Sequence, residues 1–246
     1  MTTTAPRFGA WIALPSAIAA EQIAREAFDY VCIDGQHGLL GYAETRDALV
    51  AITAGGGTPF VRVVANRAEE IGRMLDAGAR GIIVPLIDSV ADAEAAVRAA
   101  RYPVSGGGRS WGPARAGEHA TGSPARIDGG VTLLVMIETR AALAEVETIL
   151  DVPGVDGVYV GPYDLSLALG ASAPFEDAIL PALDAAIERI RVAAETRGKI
   201  AGIHCADGST AARRAREGFT FVTAATDLLA LRSGLRSELT AARAGA

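Results

Sequence analysis

Glu138 closes the apolar run Val131 to Ile137, and Asp164 follows the run Val158 to Val160 across Gly161-Pro162-Tyr163. Both runs are β-branched and bounded by glycine or polar residues, so each reads as a buried parallel strand with an acid just past its carboxyl end. In a (β/α) protein that end is where chemistry sits. Hard carboxylate oxygens placed there suit a hard cation such as Mg²⁺ or Mn²⁺. The competing reading is helix capping, because helical patterns begin at Thr139 and from Leu165 onward, and an acid in a first turn favours a helix. His37 lies three residues beyond Asp34, after another apolar run. An imidazole with a near-neutral pKa suits proton transfer, and the alternative is a satisfied structural histidine. Arg62 stands within a further apolar run, where an inward-facing guanidinium is costly unless it meets an anion. That anion is either a ligand or an internal salt-bridge partner.

Eight strand-like runs must position these groups: Phe8 to Leu14, Tyr30 to Asp34, Phe60 to Val64, Gly81 to Pro85, Val131 to Ile137, Gly157 to Val160, Ile200 to Cys205 and Phe219 to Ala224. Helical spacing fills most of the intervals. Ser89 caps a pattern of Val90, Ala93, Val97 and Ala100, and Leu183, Ile187, Ile190 and Ala194 repeat the period later. Eight such alternations indicate an α/β chain folded as a closed (β/α)8 barrel. A doubly wound open sheet is the rival, but no GxGxxG follows the first strand, and Gly106 to Gly108 fall in a long loop. That loop, Tyr102 to Gly130, is rich in Gly, Pro, Ser and Arg and is a candidate active-site cover. The 246 residues are read as a single barrel domain, 1–246, close to the usual barrel length of about 250 residues.

Composition excludes several classes. No charged-then-apolar leader and no apolar stretch of about 20 residues is present, so a cytoplasmic chain is expected, away from membranes. Cys32 and Cys205 share no CxxC spacing, which argues against a disulfide scaffold or zinc ribbon. A formal charge of −6 without a basic patch disfavours nucleic acid. Lys199 is the only lysine and begins the seventh strand, at the barrel's bottom, which removes Schiff-base catalysis. No GxSxG elbow is present for triad hydrolysis.

Five motifs occur in order: Asp34-Gly35-Gln36-His37-Gly38, Val61-Arg62-Val63, Gly81-Ile82-Ile83-Val84-Pro85, Met136-Ile137-Glu138-Thr139 and Gly157 through Ser166. Together they resemble the HpcH/HpaI family, metal-dependent class II aldolases typified by 4-hydroxy-2-oxoheptanedioate aldolase, over about Phe8 to Leu229. The resemblance implies a TIM barrel whose last helix is exchanged between partners in a homo-oligomer, a hexamer built as a trimer of dimers. It also implies Glu138 and Asp164 as ligands of Mg²⁺ or Mn²⁺, with Co²⁺ admitted. Two carboxylates leave four octahedral positions for water and for chelation by a 2-oxo acid, which polarises the ketone. His37 matches the family's base, Arg62 the group that holds the keto oxygen and developing enolate, and Asp76 the aspartate that raises the basicity of the histidine. For Asp76 a plain helix-end or salt-bridge role competes, because the carboxyl end of a barrel helix normally points away from the site.

Gly161, Pro162 and Tyr163 open a helix whose free N–H groups form a candidate site for the pyruvate carboxylate, although a tight turn needing positive φ explains the glycine equally. Arg109 and Ser110 resemble the family's Gly-Arg loop on the acceptor side, against a flexible solvated arginine. Arg115, Arg126, Trp11 and Trp111 are further pocket candidates. His119 and His204 read as structural, with His204 also placed to line the aldehyde side. Gln36 stands where several family aldolases have glutamate, and Met136 where the type enzyme has glutamine; Met136 is therefore a substrate-side position. The implied reaction is reversible cleavage of a 4-hydroxy-2-oxo acid to pyruvate or hydroxypyruvate and an aldehyde. The rivals are a coenzyme A thioester lyase of the citrate lyase or malyl-coenzyme A lyase type and a non-catalytic oxo-acid-binding barrel. The C-terminal pattern of Leu228, Leu229, Leu231 and Leu235 fits either self-packing or exchange with a neighbour.

Overall fold

The computed structural model describes residues 5–116 and 122–245. Its strands are β1 (Arg7–Ile12), β2 (Tyr30–Asp34), β3 (Pro59–Arg62), β4 (Gly81–Val84), β5 (Thr132–Ile137), β6 (Gly157–Val160), β7 (Ile200–Ile203) and β8 (Phe221–Thr226). They close into a barrel in chain order, every neighbouring pair parallel. Around it run α1 (Ala17–Arg25), α2 (Tyr42–Ala54), α3 (Ala68–Asp76), α4 (Val90–Ala100), α5 (Pro124–Gly129), α6 (Arg140–Ala144), α7 (Val146–Asp151), α8 (Pro162–Ala168), α9 (Leu180–Thr196), α10 (Gly208–Arg216) and α11 (Asp227–Ala244). This is the (β/α)8 barrel expected from the alternation of runs.

The strands are apolar on both faces because both are buried. In β2, Val31 and Ile33 join the layer shared with the helices, whereas Tyr30 and Cys32 point into the barrel with Phe60, Leu134, Tyr159 and Phe221. The interior aromatics need room. Gly9 pairs with Tyr30 and Gly81 with Phe60, and a Cβ on either glycine would fall inside its partner's ring. The Tyr30 and Tyr159 hydroxyls both meet Thr223 Oγ1, at 3.1 and 2.6 Å, so these buried polar groups are satisfied. The barrel floor is therefore a packed core, and the pocket opens at the carboxyl ends of the strands, where Asp34 and Arg62 end β2 and β3.

Strand boundaries depart from the sequence expectation where long-range hydrogen bonds decide them. The first run stops at Ile12 because the Ala13 and Leu14 N–H groups donate to the Asp227 carboxylate at 3.0 and 2.9 Å. Phe219 belongs to the turn ending α10, its N–H donating to the Arg214 carbonyl, so β8 starts two residues later and extends to Thr226. The long loop is not structureless. Ser123 caps α5, and a short 3-10 turn spans Pro103–Ser105. His119 lies outside the described residues. In α11 the side chains of Leu231, Leu235 and Leu239 are half exposed or more. Among the described residues no helix is long and apolar enough to cross a membrane.

Candidate active site

Asp34 and Arg62 are the last residues of β2 and β3 and face each other in register. Asp34 Oδ1 accepts from Arg62 Nε at 2.9 Å, and Oδ2 accepts from Nη2 at 2.6 Å, a bidentate pair in which both side chains are nearly buried. Oδ1 also accepts the backbone N–H groups of Gln36 and His37, at 3.1 and 3.0 Å, so one carboxylate fixes both the guanidinium and the turn that carries the histidine. Burial alone would raise the Asp34 carboxyl, but the hydrogen bonds and charge of Arg62 outweigh it and hold the group below the ordinary carboxylate range. Arg62 is opposed by the same burial and raised by Asp34, and it lies 5.2 Å over the Trp11 ring. The salt-bridge alternative for Arg62 is thus realised, and Arg62 lines a pocket as well. Among the described residues no hydrogen bond uses Nη1, which leaves that nitrogen's donors for a ligand.

The pocket opens at the carboxyl ends of the strands with a cavity of about 260 Å³. It gathers His37, Arg62, Met136, Gly161, Pro162, Tyr163 and Asp164, together with Asp34, Trp11 and His204. Glu138 stands directly behind Gly161, since a Cβ on that glycine would lie 2.5 Å from Glu138 Oε2. Its φ is −96°, so close approach to the carboxylate, rather than a left-handed turn, explains the glycine. Pro162 supplies no N–H, so α8 has fewer free donors than an ordinary helix start.

Helix capping does not account for Glu138. Thr139 caps α6, accepting from the Ala142 N–H at 3.1 Å, while Glu138 Oε1 accepts the Leu86 N–H at 2.9 Å from the loop after β4. Asp164 sits in the first turn of α8, where its charge also suits the helix. Burial pushes the Glu138 carboxyl up; the Leu86 N–H and Arg62 oppose the shift, and the Asp164 charge adds to it. A buried carboxylate beside an exposed one of like charge is an arrangement that a bound cation would relieve. The donor set, two carboxylates, suits a hard divalent ion; among the described residues no group of three or more His, Cys, Asp or Glu side chains is placed to hold a metal, at this site or elsewhere.

Other expected positions lie elsewhere. Asp76 lines a second cavity between α3 and α4 and accepts from Arg109 Nη2 at 2.6 Å; among the described residues no hydrogen bond or ion pair joins it to His37. Arg109 is 5% exposed and rests 4.6 Å over the Tyr102 ring, which corrects the picture of a flexible solvated arginine. Neither Arg109 nor Ser110 lines the first pocket, and neither do Arg115, Arg126 or Trp111. No described residue from the Tyr102 to Gly130 loop lines it, so the expected cover is not seen there. Sequence reasoning missed the part of Asp34. The signal was present, since an acid and an arginine ending adjacent parallel strands must lie side by side. Burial lowers the His204 pKa to about 4, leaving a neutral imidazole, edge-on to Trp11 at 5.1 Å between ring centroids.

The family model described as HpcH/HpaI aldolase/citrate lyase matches residues 7–233. A hydroxypyruvate/pyruvate aldolase of Rhizorhabdus wittichii is 41% identical over 240 residues, 97% of this chain and 95% of the relative. A 4-hydroxy-2-oxo-heptane-1,7-dioate aldolase of Salmonella arizonae is 35% identical over 245 residues, 98% and 91% of the two chains. The crystal structure of an HpcH/HpaI aldolase/citrate lyase family protein from Burkholderia cenocepacia superimposes with a TM-score of 0.85 at 32% identity, covering 97% of this chain and 95% of that one. With the match extending over nearly the whole barrel and both carboxylates, the chain belongs to the HpcH/HpaI aldolase/citrate lyase family.

Proposed function

We propose that this chain is a class II aldolase, a carbon–carbon lyase that cleaves a 4-hydroxy-2-oxo acid reversibly to pyruvate or hydroxypyruvate and an aldehyde. The observation that carries the reading is one pocket in which a base, an unspent guanidinium edge and an acid beside Glu138 converge. Glu138 and Asp164 would hold Mg²⁺ or Mn²⁺, and the ion would supply Lewis-acid polarisation of the keto group. His37 is exposed at the pocket edge and, in the condensing direction, takes a proton from the methyl carbon of the 2-oxo acid. In cleavage it takes the proton of the 4-hydroxyl group. Arg62 directs its Nη1 donors at the keto oxygen as negative charge grows there, and Asp34 keeps that guanidinium aimed and charged. The free N–H groups at the start of α8 orient the carboxylate, with Gly161 leaving room beside Glu138.

The same reading extends to assembly. The exposed leucines of α11 support exchange of this helix with a second copy, and the hexameric trimer of dimers rests on family resemblance. The role which that resemblance gives Asp76 needs contact between copies, because within one chain Asp76 and His37 line different cavities.

The test is pyruvate release from a racemic 4-hydroxy-2-oxo acid by metal-stripped protein, before and after Mg²⁺ or Mn²⁺ is resupplied. Release that needs the ion and is lost in Glu138→Ala is expected. Full activity of that variant would overturn the ligand assignment.

A further inference from the structure

Glu138, Thr139 and Arg140 are consecutive, and each bonds to a neighbouring part of the rim at the carboxyl ends of the strands. Glu138 Oε1 accepts the Leu86 N–H at 2.9 Å. The Thr139 hydroxyl donates to Asp88 Oδ1, in the same loop after β4. Arg140 reaches the other way, its Nε donating to the Ala168 carbonyl and its Nη2 to the Leu169 carbonyl at the end of α8. That helix carries Asp164 in its first turn. The three side chains thus tie the loop after β4 to the helix after β6, with β5 between them. Leu86 has a φ of +53°, a left-handed conformation that costs a residue with a Cβ about 1–2 kcal/mol. Its side chain is more than half exposed, so packing does not account for the strain, whereas the N–H aimed at Glu138 does. Helix α8 has only seven residues, too few to hold its shape alone, and the last carbonyls of any helix lack partners within it. The Arg140 fork supplies both the donors and the positive charge that suit such a helix end.

We infer that Asp88, Thr139 and Arg140 are positioning residues, which hold the Glu138 and Asp164 carboxylates in place for a divalent ion. The inference rests on the assignment of those two carboxylates as the ion's ligands under the aldolase reading. Like charges set side by side push apart until an ion lies between them, and a rim tied on both sides of β5 resists that movement. Asp88 and Thr139 keep the strained Leu86 N–H on one oxygen of Glu138, which leaves the other oxygen toward Gly161 and α8. Arg140 keeps α8, and with it Asp164, against the segment that carries Glu138. Each of these bonds is made within one chain, whatever a second copy adds at the pocket.

The experiment is Mn²⁺ binding to metal-free protein with no substrate present, read from the loss of the free-ion electron paramagnetic resonance signal. Arg140→Ala and Asp88→Ala are each expected to fold and to raise the Mn²⁺ Kd about tenfold or more, the usual effect of removing a group that orients a metal ligand. Arg140→Lys keeps the charge but not the fork, and its Kd should fall between those of Arg140→Ala and the wild type. Arg197→Ala controls for general loosening. Arg197 makes a two-point pair with Asp151 at the opposite end of the barrel, before β6 and β7, so its loss should lower Tm and leave Kd unchanged. An unchanged Kd in Arg140→Ala, or in Arg140→Lys should the first fail to fold, overturns the inference, and so does an equal rise in Arg197→Ala. Glu138→Ala separates this from failure of the ligand assignment. If Glu138→Ala abolishes binding and Arg140→Ala leaves it intact, the positioning role alone falls; if the wild type binds no Mn²⁺, or Glu138→Ala binds it equally well, both fall.

Discussion

Replacing Asp34 with Asn removes one charge from a buried bidentate pair while keeping the shape of the side chain. In the ion pair the side-chain exposures are 10% for Arg62 and 7% for Asp34, so solvent screens it little. Stranding one partner of such a pair costs about 3–5 kcal/mol, most of it from the guanidinium left without a counter-charge. With an m-value of about 3 kcal/mol per molar urea, the unfolding midpoint falls by roughly 1 M or more. The assay is urea denaturation followed by far-UV circular dichroism at neutral pH. Removing both charges, as in Asp34→Leu with Arg62→Leu, is expected to cost less than Asp34→Asn alone, since no buried charge is stranded. The sign with pH follows from the lowered Asp34 carboxyl. A depressed folded-state pKa contributes stability that is present above the unfolded value, about 3.9, and lost as pH falls below it. A midpoint for Asp34→Asn equal to that of the wild type would refute the claim that this pair holds the strand ends together.

Gly161→Ala drives a Cβ to within 2.5 Å of Glu138 Oε2, so the variant is expected to fold but to lose most of the rise in Tm that Mg²⁺ or Mn²⁺ gives the wild type; an undiminished rise would contradict the placement of Glu138. Glu138→Gln relieves the repulsion with Asp164, so its Tm without added metal should equal or exceed that of the wild type, with the metal response gone, as thermal unfolding with and without the ion will show. The depressed His204 pKa of about 4 means that folding favours the neutral ring, and stability is lost as pH falls from the unfolded value of about 6.5 toward 4. His204→Gln should flatten that part of the stability-against-pH curve, and an unchanged curve would contradict a buried neutral imidazole. Asp76→Asn strands the buried Arg109 guanidinium, so thermal unfolding should shift down by several degrees, about 2–4 °C per kcal/mol lost for a chain of this size.

The barrel was legible because the strand signal is local: β-branched runs, glycines at their edges and helical spacing between them carry it without tertiary information. Strand ends were less so. The stop at Ile12 depends on Asp227, 214 residues away from Ala13, and no window along the chain contains both. At the site, Glu138, Asp164, His37 and Arg62 stood out because acids, a histidine and an arginine at the ends of apolar runs are expensive unless used. The Leu86 N–H that anchors Glu138 was invisible, since backbone donors carry no sequence mark. Arg109 and Asp76 were harder still, because loop conformation decides where the arginine turns, and a Gly-rich segment gives no periodicity to read.

The most direct measurement follows pyruvate methyl protons in D₂O by NMR, with purified protein stripped of metal and then resupplied with Mg²⁺ or Mn²⁺. Deprotonation at carbon is the step on which the pocket's chemistry rests, and it needs no aldehyde. Exchange that appears only with the ion, and disappears in His37→Ala and Glu138→Ala, is expected. Exchange that persists in either variant, or fails with both metals for pyruvate and hydroxypyruvate alike, would contradict the assignment of this pocket as an aldolase site.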